Sequence, residues 1–112
     1  RFDITLAAWS NVTRDGSELM EPNFHSVNGQ RRVRLDEDDW ALVDSYIDAS
    51  KTTSDTAVRT ENLLACNAVL QDEAYVQPIY NSTNLFCYSN EYTNITLDAG
   101  GAFYVKDFQY AA

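Results

Sequence analysis

Apolar and polar residues alternate at the start of the chain, with Phe2, Ile4, Leu6 and Ala8 on one side of residues 2–9. A period of two puts every second side chain on one face, so this spacing predicts a half-buried strand. Residues 10–22 break the pattern with Asp15-Gly16 and Pro22, and predict a loop. Asn28-Gly29 lies between residues 24–27 and 30–35. Asn-Gly accepts the positive φ angles of a type I′ turn, so a hairpin is expected there. On its second strand Arg31, Val33 and Leu35 share a face, and Arg32 and Arg34 take the other.

Residues 36–47 carry two patterns. Trp40, Val43 and Ile47 stand at helical spacing behind a run of acids, which favour a helix N-terminus. Trp40, Leu42 and Tyr46 also fit one face of a strand, and the surrounding β signals favour that reading. Residues 48–56 are polar and read as an exposed loop, with apolar positions resuming at Val58 and in the stretch Leu63-Leu64-Ala65-Cys66. Pro78 marks residues 75–80 as an edge strand or a bulge. Residues 85–88 and 92–97 predict a second hairpin turning near Asn90, and Gly100-Gly101 precedes a last strand over 102–110. About nine short strands separated by polar turns predict an all-β fold, an antiparallel sandwich or barrel-like single domain over 1–112.

Two cysteines, Cys66 and Cys87, allow one intramolecular disulfide. It would close a loop of about twenty residues and contribute roughly 3 kcal/mol through the unfolded state. An immunoglobulin-like domain, such as a viral decoy, is the second choice, because no tryptophan lies between these cysteines. The triplets beginning at Asn11, Asn81 and Asn94 each fit the glycan-acceptor pattern Asn-x-Ser/Thr. Together with the cysteine pair they predict a secreted, extracellular glycoprotein, wall- or surface-associated. No signal peptide is visible, so a secreted form would begin, after processing, at Arg1. No window carries the roughly 18 continuous apolar residues of a membrane span.

Net charge is −9, from eight basic and seventeen acidic residues. A polyanion would be repelled over most of such a surface, which argues against nucleic acid as a partner. Candidate chemistry is sparse. His25 is the single histidine and the only candidate base for nucleophilic catalysis, yet no nucleophile elbow accompanies it. Asp36, Asp38 and Asp39 offer hard oxygens for calcium without the glycine and spacing of an EF-hand loop. Two thiols and one histidine at wide spacing do not make a zinc pattern. Arg31, Arg32 and Arg34 form the basic cluster, and the acids that follow are expected to neutralise it. Left unneutralised, it would recognise an anionic sugar or an acidic partner. Tyr104 and Tyr110 belong to an aromatic-rich C-terminal half suited to sheet surfaces and interfaces.

The stretch Leu63-Leu64-Ala65-Cys66-Asn67, the aromatic segment to Tyr80, and Cys87 resemble fungal small secreted cell-wall proteins of the phialide type. That resemblance implies an extracellular or wall-associated β protein without established catalysis, and it transfers no functional residue. The expected function is non-enzymatic and cofactor-free. It is contact with other extracellular proteins, self-assembly as a wall, coat or filament component, or host interaction. A carbohydrate-binding module and a small hydrolase with paired carboxylates are the competing classes.

Overall fold

In the computed structural model, which describes residues 3–11, 13–81, 83, 85–98 and 101–111, three helices replace most of the expected strands. They are α1 (Gly16–Phe24), α2 (Glu37–Lys51) and α3 (Thr56–Asp72). The chain divides into two compact units, residues 15–79 and a second unit formed by residues 1–14 with 80–112.

Each helix starts at an aspartate. Asp15 caps α1, its carboxylate accepting from the Ser17 N–H at 2.9 Å and the Ser17 hydroxyl at 2.7 Å. Asp55 caps α3 by accepting from the N–H groups of Ala57 and Val58. Asp36 precedes α2, and Glu37, Asp38 and Asp39 fill its first turn, where carboxylates meet the positive end of the helix dipole. Asp15-Gly16, expected as a turn, is therefore a helix start. Pro22 sits inside α1, where it supplies no N–H, and the helix ends two residues later.

The core follows the helical period. On α2, Val43, Ile47 and Ser50 are buried, with Trp40 half-buried one turn earlier. On α3, Cys66 and Leu70 are buried, and Leu63 continues the same stripe. These stripes face each other as α2 packs on α3, and Phe24 from α1 with Leu35 from the linker close the core. Arg59 of α3 ties the other helices down. Its Nε donates to the Ser50 carbonyl at 3.0 Å, and its guanidinium reaches Asp15 at 2.6 Å. Lys51 pairs with Glu21, linking α2 to α1.

The expected all-β sandwich or barrel is thus overturned. Leucine, alanine, glutamate and arginine over residues 56–72 are good helix formers, and two packed amphipathic helices bury more than isolated strands would. At residues 3–9 the alternation is real but builds no strand, and Ile4 is 91% exposed. The only sheet among the described residues pairs β1 (Tyr92–Thr93) antiparallel with β2 (Gln109–Tyr110), in the second unit, with Tyr92 opposite Tyr110. An isolated antiparallel bridge joins Leu97 to Phe103. Asn94 stops β1 because it lies at φ 57, where its Nδ2 donates to the Asp107 carbonyl at 2.7 Å. The 3₁₀ turn Val105–Asp107 interrupts the expected last strand. Phe103 lies edge-on to Phe86 and Phe108, with ring centroids 4.7 and 5.9 Å apart.

The expected disulfide is overturned as well, because Cys66 and Cys87 are both free thiols. Helical geometry turns Cys66 into the buried face of α3, whereas Cys87 lies on an exposed segment. Burial pushes the Cys66 thiol up to about 11, with the Asp44 carboxylate adding to the shift. A thiol reagent at neutral pH is expected to modify Cys87 alone in the native protein and both cysteines in guanidinium chloride. Finding neither thiol reactive before reduction would restore the bridge.

The Asp15 cap carries a pH dependence. The Ser17 hydroxyl, the Ser17 N–H and then Arg59 hold its carboxyl at about 2, below its ordinary 3.8. A depressed carboxyl stabilises the fold above the unfolded value and loses that contribution as pH falls from about 4 to about 2. Asp15 is about one-third exposed, so solvent screening holds the effect to roughly 1 kcal/mol or less. Asp15→Asn is expected to flatten the acid limb of stability over that window in urea unfolding. An unchanged limb would remove the cap from the pH dependence.

Candidate functional site

The segment between α1 and α2, expected as a hairpin, is a compact turn stapled to both helices. His25 follows α1 with its ring buried, and its Nδ1 accepts the backbone N–H groups of Val27 and Asn28, each at 3.1 Å. This imitates a helix-capping side chain, with imidazole nitrogen in place of a carboxylate oxygen. The Gly29 N–H donates to the His25 carbonyl at 2.9 Å, and the Gln30 N–H returns to the Pro22 carbonyl at 2.8 Å. A Cβ on Gly29 would lie 2.5 Å from the His25 carbonyl oxygen and 2.7 Å from that of Glu21. Gly29 is required by close backbone approach rather than by the type I′ geometry its sequence suggested.

Asp44 of α2 holds the same turn from the other side. Its carboxylate accepts the Ser26 N–H at 2.8 Å and also the Ser26 hydroxyl. Beyond this anchor Arg31 takes a left-handed backbone conformation at φ 46, strained for a residue with a Cβ. Its Nε donates to the Ser26 carbonyl, and its guanidinium lies 5.7 Å from the centre of the Trp40 ring. Arg31, Arg34 and Trp40, with Val33, Leu35 and Glu37, line an open groove of about 600 Å³ that reaches Ser26.

The acids that follow form no ion pair with this cluster among the described residues. Among the described residues no ion pair joins Arg31, Arg32 or Arg34 to a carboxylate, while Lys51 and Arg59 both have acidic partners. The acids of residues 36–39 serve the start of α2 instead. The Asp36 N–H donates to the Tyr75 hydroxyl at 3.1 Å, and that hydroxyl donates to Asp39 at 2.6 Å. The bond to Asp39 raises the Tyr75 phenol above its ordinary value.

Other candidates are placed less productively. His25 and Ser26 lie beside Asp44 in the wrong order for nucleophilic catalysis. The serine hydroxyl bonds the carboxylate and, among the described residues, no hydrogen bond joins it to the imidazole, whose Nδ1 accepts two amides. The other ring nitrogen, Nε2, is buried 3.4 Å from Asp48 without a hydrogen bond among the described residues. No group of three metal-binding side chains converges among the described residues, so Asp36, Asp38 and Asp39 form no calcium cluster. Asn81 and Asn94 are exposed and Asn11 is half-buried. Tyr110 is 75% exposed beside Tyr92, and Tyr104 has the Lys106 ammonium 5.9 Å from its ring.

Sequence reasoning found the arginines, with Val33 and Leu35 on the face of Arg31, and missed Trp40 and Ser26 as their neighbours. The signal for Trp40 was present: acids before an i, i+3, i+7 apolar series start a helix, and that places Trp40 in its first turn beside the arginines. No helix of the described residues is long and apolar enough to cross a membrane. Comparison with protein-family models, curated proteins and solved structures finds no match.

Proposed function

We propose that this chain is a non-enzymatic domain of an extracellular glycoprotein, and that it works by surface contact through the groove at Arg31, Arg34 and Trp40. The observation that carries this reading is an arginine cluster without an ion-paired carboxylate among the described residues. Acids outnumber bases by seventeen to eight, yet among the described residues Arg31 and Arg34 line the groove without an ion-paired carboxylate, Arg31 beside the Trp40 ring. Arginine offers a planar fork of donors that fits carboxylate and sulfate groups, so the partner presents an anionic group. The extracellular setting now rests on the three glycan-acceptor triplets, since the disulfide no longer supports it. At Asn94 a glycan would leave one N–H on Nδ2, enough to keep the bond to Asp107.

Binding to hexaglutamate and to a sulfated tetrasaccharide tests the contact surface. At least one of these probes is expected to bind at low salt, and Arg31→Ala/Arg34→Ala is expected to weaken it about tenfold or more, roughly 1.4 kcal/mol. Binding that ignores both arginines would remove the groove from the proposal. Intact mass before and after glycosidase tests the setting, and an unmodified mass from a glycosylating host would remove it.

A further inference from the structure

We propose that the groove binds a short peptide segment in which acidic and apolar side chains alternate; this rests on the surface-contact reading above. The groove has two chemically distinct parts. Among the described residues Arg31 and Arg34 supply guanidinium groups with no ion-paired acid, and Trp40, Val33 and Leu35 supply apolar surface next to them. Its far side is closed to dense negative charge. Glu37 lines the groove, and Asp36, Asp38 and Asp39 flank it at the start of α2. A uniform polyanion would place charges against these carboxylates as well as against the arginines. A ligand carrying one or two carboxylates with apolar groups between them meets the arginines with the first and Trp40 with the second.

Peptide backbone in extended form delivers that alternation, since side chains on one face recur about every 7 Å. Arg31 is held ready for such a ligand. Its strained backbone, its bond to the Ser26 carbonyl and its place over Trp40 fix the guanidinium before any partner arrives, which lowers the ordering cost of binding. The turn beneath it is fixed in its own right by His25, Gly29 and Asp44. The rest of the chain's surface, at net charge −9, repels other approaches of an acidic peptide and leaves this groove as the favourable one.

The test is fluorescence anisotropy of labelled probes against the full chain. The probes are a six-residue peptide alternating Asp and Leu, a matching Ser and Leu peptide, hexa-aspartate and a sulfated tetrasaccharide. The Asp–Leu peptide is expected to bind about tenfold or more tighter than the other three. Arg31→Ala is expected to remove that advantage, and Arg31→Lys to keep only part of it because a lysine lacks the planar fork. Raising NaCl from about 50 to about 300 mM is expected to weaken binding, as screening of an open site requires. Tighter, arginine-dependent binding of hexa-aspartate or the tetrasaccharide would overturn the peptide class and leave the surface-contact reading standing. Equal binding of the Ser–Leu peptide would overturn it too, by showing that carboxylates are not read. Binding of none of the four would end both proposals.

Discussion

Gly29→Ala is expected to lower the stability of the helical unit by about 3 kcal/mol, at the upper end of overpacking costs in a filled site. The added methyl would lie within 3.0 Å of three backbone atoms, the carbonyl oxygens of His25 and Glu21 and the His25 nitrogen. Backbone atoms cannot swing aside as a long side chain does. The turn must open, and with it go the Gly29 N–H bond to His25 and the Gln30 N–H bond to Pro22. In urea unfolding the midpoint is expected to fall by at least about 1 M, given a slope of 1–3 kcal/mol per M for small proteins. Affinity for an anionic probe is expected to fall in the same variant, because Arg31 is held only two residues further on. A midpoint within error of the parent chain would show that the turn has room for a side chain.

The second large effect concerns His25, and two substitutions separate its roles. His25→Phe preserves the buried ring but removes the acceptor for the N–H groups of Val27 and Asn28. An unsatisfied donor costs about 1–3 kcal/mol when buried, and both residues are exposed enough for water to recover part of that. A loss of about 2–3 kcal/mol is expected on that basis. His25→Asn keeps an acceptor, since an asparagine Oδ1 takes the place of Nδ1 and caps two N–H groups in the same way. It gives up ring volume instead, and is expected to lose about 1–2 kcal/mol. Phenylalanine proving as stable as histidine would mean the amides do not depend on the imidazole.

The histidine reading illustrates what a linear pattern conveys. The capping role of His25 needs the chain to fold back within three residues, which no spacing along the sequence announces. The α2 helix was half legible. Trp40, Val43 and Ile47 at helical spacing behind four acids described it correctly, and an inferred β context outweighed them. That context came from aromatic and β-branched residues near the C-terminus, where the structure builds only two-residue strands and leaves Tyr104 and Tyr110 exposed. For α3 the signal is the helical spacing of Leu63, Cys66 and Leu70, which the expectation of a Cys66–Cys87 bridge does not use. The arginine cluster was found from sequence. Its lack of partners was not, because that depends on the acids being drawn to the α2 terminus and to Tyr75.

The α2–α3 pair also sets the order in which the chain acquires structure. Only residues 52–55 separate the two helices, so their mutual docking closes a very short loop, an event on a timescale of roughly 10–100 ns for loops of about ten residues. Contacts so local in sequence favour early docking of this helical hairpin, ahead of the β1–β2 pairing, whose partners stand at residues 92 and 110.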